Sequence, residues 1–232
     1  MKKLSIIVIM AVMAAATLFS CKDETGDYVE QLYTNGQKEL AIKACLRVSA
    51  DTATAHLFVP NGFYMYNDSA YRIDFVPLQS TLFSNLESHG YGDLVDSLIL
   101  HVNRMAESCG NQVNQSLKAA VDSLKILDCD ALINGDDDAI TRYYEMCEYK
   151  YLKSSIQTPV TVRMDFYGVN GIWDEMLHKY YLSTGNPLNF DIVNYIVETM
   201  LAGIIKEMSK EEAFIRSDED RRTDDMDAFG IE

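Results

Sequence analysis

Asn103, Arg104 and Glu107 are the polar residues whose spacing suggests chemistry, because they interrupt an apolar run containing Val102, Met105 and Ala106. On a helix, Asn103 and Glu107 are i,i+4 neighbours and Arg104 and Glu107 are i,i+3 neighbours. Beside apolar positions, at least one of them is partly buried and needs a partner, since an unpaired buried polar group is costly. Two readings follow. In the first, the residues form a structural network, with Glu107 bonded to Arg104 or to the distant Arg216. In the second they form a pocket, where Arg104 holds an anion and Glu107 acts as an acid or base. No second carboxylate at a telling spacing supports catalysis, so the structural reading is preferred.

Other chemistries find less support. His56, His89, His101 and His178 are scattered without an HExxH spacing, and the cysteines lack CxxC pairing, so no metal is expected. The stretch from Asp128 to Thr141 superficially resembles a calcium loop. Counted from Asp130, Gly135 falls at the sixth place, but Leu132 stands at the third and Thr141 at the twelfth, where a bidentate Glu is needed. Helix capping explains the same residues. There is no GxSxG and no Gly-rich phosphate loop, so neither a catalytic residue set nor a cofactor is implied. Tyr143, Tyr144, Tyr149 and Tyr151, with Tyr180 and Tyr181, read as core and rim packing in preference to a ligand cage.

A different chemistry is written at the start of the chain. Lys2 and Lys3 precede the apolar run from Leu4 to Leu18, which has the form of a secretory leader and is too short for a confident bilayer span. Leu18-Phe19-Ser20-Cys21 resembles a bacterial lipobox, although Phe19 is bulky for its slot. The match implies diacylglycerol on the Cys21 sulfur, palmitate-type acylation and cleavage before Cys21. Each buried methylene contributes roughly 0.8 kcal/mol, so two or three acyl chains anchor stably where one does not. The chain then divides into a leader over 1–20, a lipidated tether over 21–27 and a single domain over 28–232. The expected partner at Cys21 is a membrane, the outer membrane of a Gram-negative envelope. Lys22-Asp23-Glu24 leaves open whether the domain faces the periplasm or the cell surface.

Composition narrows the rest. With 48% hydrophobic and 24% charged residues, the chain has a globular balance. Its formal charge of −15 becomes −17 when the two lysines leave with the leader, a surface that repels nucleic acid. Cys45, Cys109, Cys129 and Cys147 remain after Cys21. In an exported chain they allow two disulfides in any of three connectivities, or they are small apolar fillers. Both readings stay open.

The elements that must position these residues are helices. Four prolines and 12 glycines obstruct little. Apolar spacing predicts helices over Gly36–Val48, from Pro77 to His89, from Asp93 to Gly110 and onward to Leu124. It also predicts helices over Asp128–Ile133, over Ala139–Ile156 with Asp136 to Asp138 as caps, and from Asp191 past Met208. Between Asp51 and Pro77 the pattern breaks, and Tyr71–Val76 alternates as a short extended segment with Ile73 and Phe75 on one side. Pro159 reads as a second break, followed by pieces over Met164–Tyr167 and Gly171–Leu182. The charged tail from Ser217 frays or is strapped down by Phe229.

The order LESHGYGDLVDSL, NRMAE, LDCDALINGDDDAITRYY, AGII and EEAFIR resembles the helical envelope family called domain of unknown function 4197, from about Gly36 to Gly230. Asn61-Gly62-Phe63, Asn103-Arg104-x-Ala106-Glu107, Asp128, Trp173 with Tyr180, Asp191, Tyr195, Gly203, Glu212, Ile215, Arg216, Thr223 and Phe229 are similar to its pattern. Cys129 departs from it, standing where alanine is usual. The resemblance implies an exported, all-α domain and brings no known activity. The expected architecture is therefore a compact multi-helix domain with one extended segment. The preferred function is a non-enzymatic binding or scaffolding module. A carrier with a small apolar ligand between its helices comes second, and an enzyme third.

Overall fold

The computed structural model describes residues 33–229; the leader, Cys21 and the whole of the tether lie outside them. Among the described residues there are ten α-helices and no strand. They are α1 (Asn35–Leu57), α2 (Gly62–Ser69), α3 (Val76–Leu78), α4 (Ser84–Ser88), α5 (Gly92–Glu107), α6 (Gly110–Ser123), α7 (Cys129–Ile133), α8 (Ala139–Phe166), α9 (Val169–Thr184) and α10 (Ile192–Ser217). A π-helical turn over Gln79–Phe83 joins α3 to α4, and two 3-10 turns, Glu219–Arg221 and Asp224–Phe229, follow α10.

The long helices make the core. α10 packs between α1 and α8, α6 closes over α1 and α8, and α5 lies against α9 and α2. α1 begins with a reciprocal cap, in which Thr34 Oγ1 accepts from the Gln37 N–H at 3.3 Å and Gln37 Oε1 accepts from the Thr34 N–H at 3.0 Å. It then runs nine residues beyond the predicted end at Val48. Ala50, Ala53 and Leu57 continue the buried stripe of Ile42, Cys45 and Leu46, while the polar Asp51, Thr52 and Thr54 occupy other faces. Leu40, within the predicted helix, is half exposed.

Pro159 does not end α8. The ring removes one helical hydrogen bond and costs about 3 kcal/mol in an isolated helix interior. Here Leu152, Ile156, Val160 and Met164 form a buried i,i+4 stripe through it, and Pro159 is itself buried. Tertiary packing outweighs the local preference. The acidic run is also reassigned. Asp138 occupies the cap position of α8 without a side-chain bond, and Asp136 and Asp138 pair with Arg142 instead.

The segment before α3 joins no ladder and ends with Phe75 in the left-handed region (φ 52°), yet Ile73 and Phe75 are both buried as the alternation predicts. Pro77 sits in the first turn of α3. The tail is strapped down. Met226 and Ala228 are buried, the last turn packs on α1, and the Arg216 guanidinium lies 5.4 Å above the Phe229 ring. None of the four described cysteines is in a disulfide. Cys45 and Cys109 fill the core, and burial pushes the Cys109 thiol up to about 11. No described helix is long and apolar enough to cross a membrane.

Candidate functional site

α5 presents Asn103, Arg104 and Glu107 to the irregular chain between α1 and α3. Asn103 is fully buried and grips one residue of the extended segment. Its Oδ1 accepts from the Ile73 N–H at 3.0 Å, and its amide donates to the Ile73 carbonyl at 3.2 Å and the Ile99 carbonyl at 2.7 Å. The side chain thus imitates a strand neighbour for a segment that has none.

Glu107 performs the equivalent task for α2. Its carboxylate accepts from the Tyr64 N–H at 3.2 Å, in the first turn, and from Arg104 Nη1 at 2.7 Å. Arg104 Nη2 donates to Asn61 Oδ1 at 2.6 Å, and the guanidinium lies 5.3 Å over the Tyr64 ring. Two of the five N–H donors of Arg104 are therefore engaged within the protein, and its charge is balanced by Glu107. Gly62 lets the turn close. A Cβ there would stand 2.2 Å from the Leu57 carbonyl oxygen, so Gly62→Ala should cost about 1–3 kcal/mol by overpacking, read as a lowered midpoint in chemical denaturation.

Arg216 does not join this cluster. It donates to Glu212 through Nε at 3.0 Å and Nη2 at 2.7 Å, and to the Leu132 and Ile133 carbonyls at 2.8 and 2.7 Å. Glu212 in turn accepts from the Ile140 and Thr141 N–H groups at 3.0 and 2.7 Å. One buried pair on α10 thereby satisfies the end of α7 and the start of α8 together. Capping also explains the stretch that resembles a calcium loop, since Asp128 accepts from the Ala131 N–H at 3.0 Å and Asp130 pairs with Lys38.

Two more buried carboxylates on α10 play the same part. Glu211 accepts from Arg221 Nη1 at 2.9 Å through both oxygens, tying down the tail. Glu207 gathers the Tyr71 hydroxyl, Tyr66 Oη at 3.1 Å, His56 Nδ1 at 2.8 Å and Lys210 Nζ at 3.4 Å. Burial works to raise the Glu207 pKa, but the bonds from Tyr71 and His56, the charge of Lys210 and the bond from Tyr66 outweigh it and hold it below the ordinary value. Burial and the same carboxylate push both tyrosine hydroxyls up. Neither glutamate is anticipated from the sequence, yet both interrupt the stripe of Met200, Ile204, Met208 and Ile215. Because the folded-state pKa of Glu207 is depressed, its stabilisation is present above the unfolded carboxyl pKa and fades as pH falls through the folded value. The stability gap between the protein and Glu207→Gln should therefore narrow in denaturant titrations as pH drops below about 4.5.

What remains accessible is a cleft of about 400 Å³ at the end of α1, lined by Phe58, Val59, Pro60, Arg104, Glu107, Ser108 and Tyr167. It is open to solvent. Val59 is exposed at its rim, and the strongly exposed Phe166 stands edge-on to Tyr167 with ring centroids 5.3 Å apart. Among the described residues no three His, Cys, Asp or Glu side chains come together as a metal site. The arrangement is that of a helical module with a filled interior and an apolar cleft floored by a neutralised ion pair. The chain belongs to the family described as "Protein of unknown function (DUF4197)", whose model matches residues 32–228. No curated protein and no solved structure matches it significantly.

Proposed function

We propose that the mature chain is a lipid-anchored envelope protein that binds a partner through the cleft at Val59 and does not transform a substrate. The observation that carries this reading is the division of labour among side chains. Glu107, Glu207, Glu211 and Glu212 are all bonded to arginines, a lysine or backbone amides that hold the fold, while apolar Val59, Pro60, Phe166 and Tyr167 are offered around the cleft. A carrier would enclose its ligand, and this cleft is open. Exposed apolar surface rimmed by polar groups instead suits a protein partner.

Geometry suits the tether. The described chain enters at Tyr33, beside the start of α1, and the 23 residues of that helix carry the cleft about 34 Å away. A tether that joins at Tyr33 would therefore attach at the end of α1 opposite the cleft.

Native mass spectrometry of the intact protein extracted from membranes tests the reading. The expected result is a complex that Val59→Asp and Phe166→Ser both lose. A free monomer in the unaltered protein, or a complex indifferent to both changes, overturns it. The anchor has its own readout. Cys21→Ser should carry no acyl chain and keep its leader; unchanged acylation and processing to the same size would defeat the lipobox reading.

A further inference from the structure

Between α6 and α8 lies a second groove, of about 390 Å³, lined by Gln112, Gln115, Ser116, Ala119, Tyr151, Ser155, Thr158 and Pro159. No charged side chain lines it, although the chain carries 35 acidic and 20 basic residues. We propose that this groove is a binding site for a neutral saccharide, with Tyr151 as the stacking platform and the α6 amides and α8 hydroxyls as the hydrogen-bonding edge.

The lining follows from helix geometry. Gln112, Gln115, Ser116 and Ala119 fall at i, i+3, i+4 and i+7 on α6, and Tyr151, Ser155 and Thr158 at i, i+4 and i+7 on α8, so each set shares one face. Some of the polar atoms already have partners. Gln115 Nε2 donates to Asn111 Oδ1 at 3.2 Å, Ser116 Oγ to the Gln112 carbonyl at 3.0 Å and Ser155 Oγ to the Leu152 carbonyl at 2.9 Å. The side-chain amide of Gln112, Oε1 of Gln115 and the hydroxyls of Tyr151 and Thr158 make no hydrogen bond among the described residues. Donors and acceptors are thus both on offer. Pro159 adds one more acceptor, because its missing N–H leaves the Ser155 carbonyl without its usual i+4 donor.

Such a lining discriminates by chemistry. A charged ligand finds no counter-charge in the groove, and an aliphatic one would strip water from amides and hydroxyls without replacing their bonds. A pyranose presents an apolar C–H face to an aromatic ring and a rim of hydroxyls, with or without acetamido groups, to side-chain amides. Tyr151 is 46% exposed, so its ring face is available without rearrangement. The groove is shallow and open, so it would take one face of a sugar and leave the other in water. The groove stands on different residues from the Val59 cleft and is independent of the partner proposed there.

Saturation-transfer difference NMR on the full chain in a phosphocholine detergent provides the test, with N,N′-diacetylchitobiose and maltose as probes. Saturable transfer to ring protons is expected, weakened at least about tenfold by Tyr151→Ala and by Gln115→Ala, a loss of about 1.4 kcal/mol. Leu182→Ala, exposed on α9 and absent from the groove lining, should leave it unchanged. Response to the acetamido sugar alone identifies its amide as the recognised group, and response to both identifies the shared hydroxyls; either supports the site. Absence of saturable transfer from both sugars up to about 20 mM, far weaker than the millimolar affinities that mark weak binding, overturns it. So does transfer that neither groove substitution reduces. Gln115 and Tyr151 are both exposed, and helical circular dichroism confirms that each variant is folded before its spectrum is compared.

Discussion

Glu212→Ala is expected to destabilise the protein by about 3–5 kcal/mol, the range for breaking one side of a buried ion pair. The carboxylate is fully buried and Arg216 nearly so. Truncation removes the acceptor of the Ile140 and Thr141 N–H groups and leaves a guanidinium bonded only to two carbonyls. Urea denaturation should show a large fall in midpoint, and hydrogen exchange should show the first turn of α8 opening first. Glu212→Gln keeps one acceptor oxygen and should recover part of the loss. A midpoint unchanged by Glu212→Ala would mean that the pair contributes little to holding α7 and α8 on α10.

The second large effect is expected at Asn103. Replacing it with leucine preserves approximate volume but leaves the N–H and carbonyl of Ile73 without partners in the interior. At about 1–3 kcal/mol for each of the two orphaned groups, the expected loss is about 2–6 kcal/mol. The damage should be local before it is global. Tyr71, Ile73 and Phe75 lose the grip that sets them into the core, so limited proteolysis should cut between residues 66 and 76 well below the concentration of denaturant that unfolds the bundle. Asn103→Asp retains an acceptor but loses both amide donations, and should be no milder, because it also buries a charge.

Much of the helical architecture is legible from spacing, and the exceptions are instructive. α5, α6 and α10 each carry an apolar stripe that local sequence displays openly. The second half of α1 is obscured because small residues, Ala50 and Ala53, carry its inner face between polar neighbours. Pro159 misleads because a local penalty is plain in sequence, whereas the buried stripe that overrides it is split across the proline. The Asn103 motif announces its burial but not its partners. Ile73 is 30 residues away and Tyr64 is 43 away, and each is contacted through backbone, which leaves no trace in side-chain identity. Arg216 is the converse case. Its partner Glu212 stands one helical turn before it, within reach of the ordinary i,i+4 rule. Glu207 and Glu211 could likewise be found by asking why an apolar stripe contains carboxylates. The uncharged groove could not, since its two walls are far apart in sequence and meet only through packing.

The position of α10 in the chain sets a timetable for folding. This helix supplies Glu207, Glu211 and Glu212, and through them it secures His56, Tyr66 and Tyr71, the start of α8 and the tail. Among the described residues it is also the last long helix in chain order, and its contacts with α1 join segments far apart in sequence. Closing so long a loop is entropically costly and slow. Until residues near Ser217 emerge, the earlier helices lack the surface that would make their burial cooperative. Placing the central fasteners on α10 defers cooperative burial of the earlier helices until that helix has joined them.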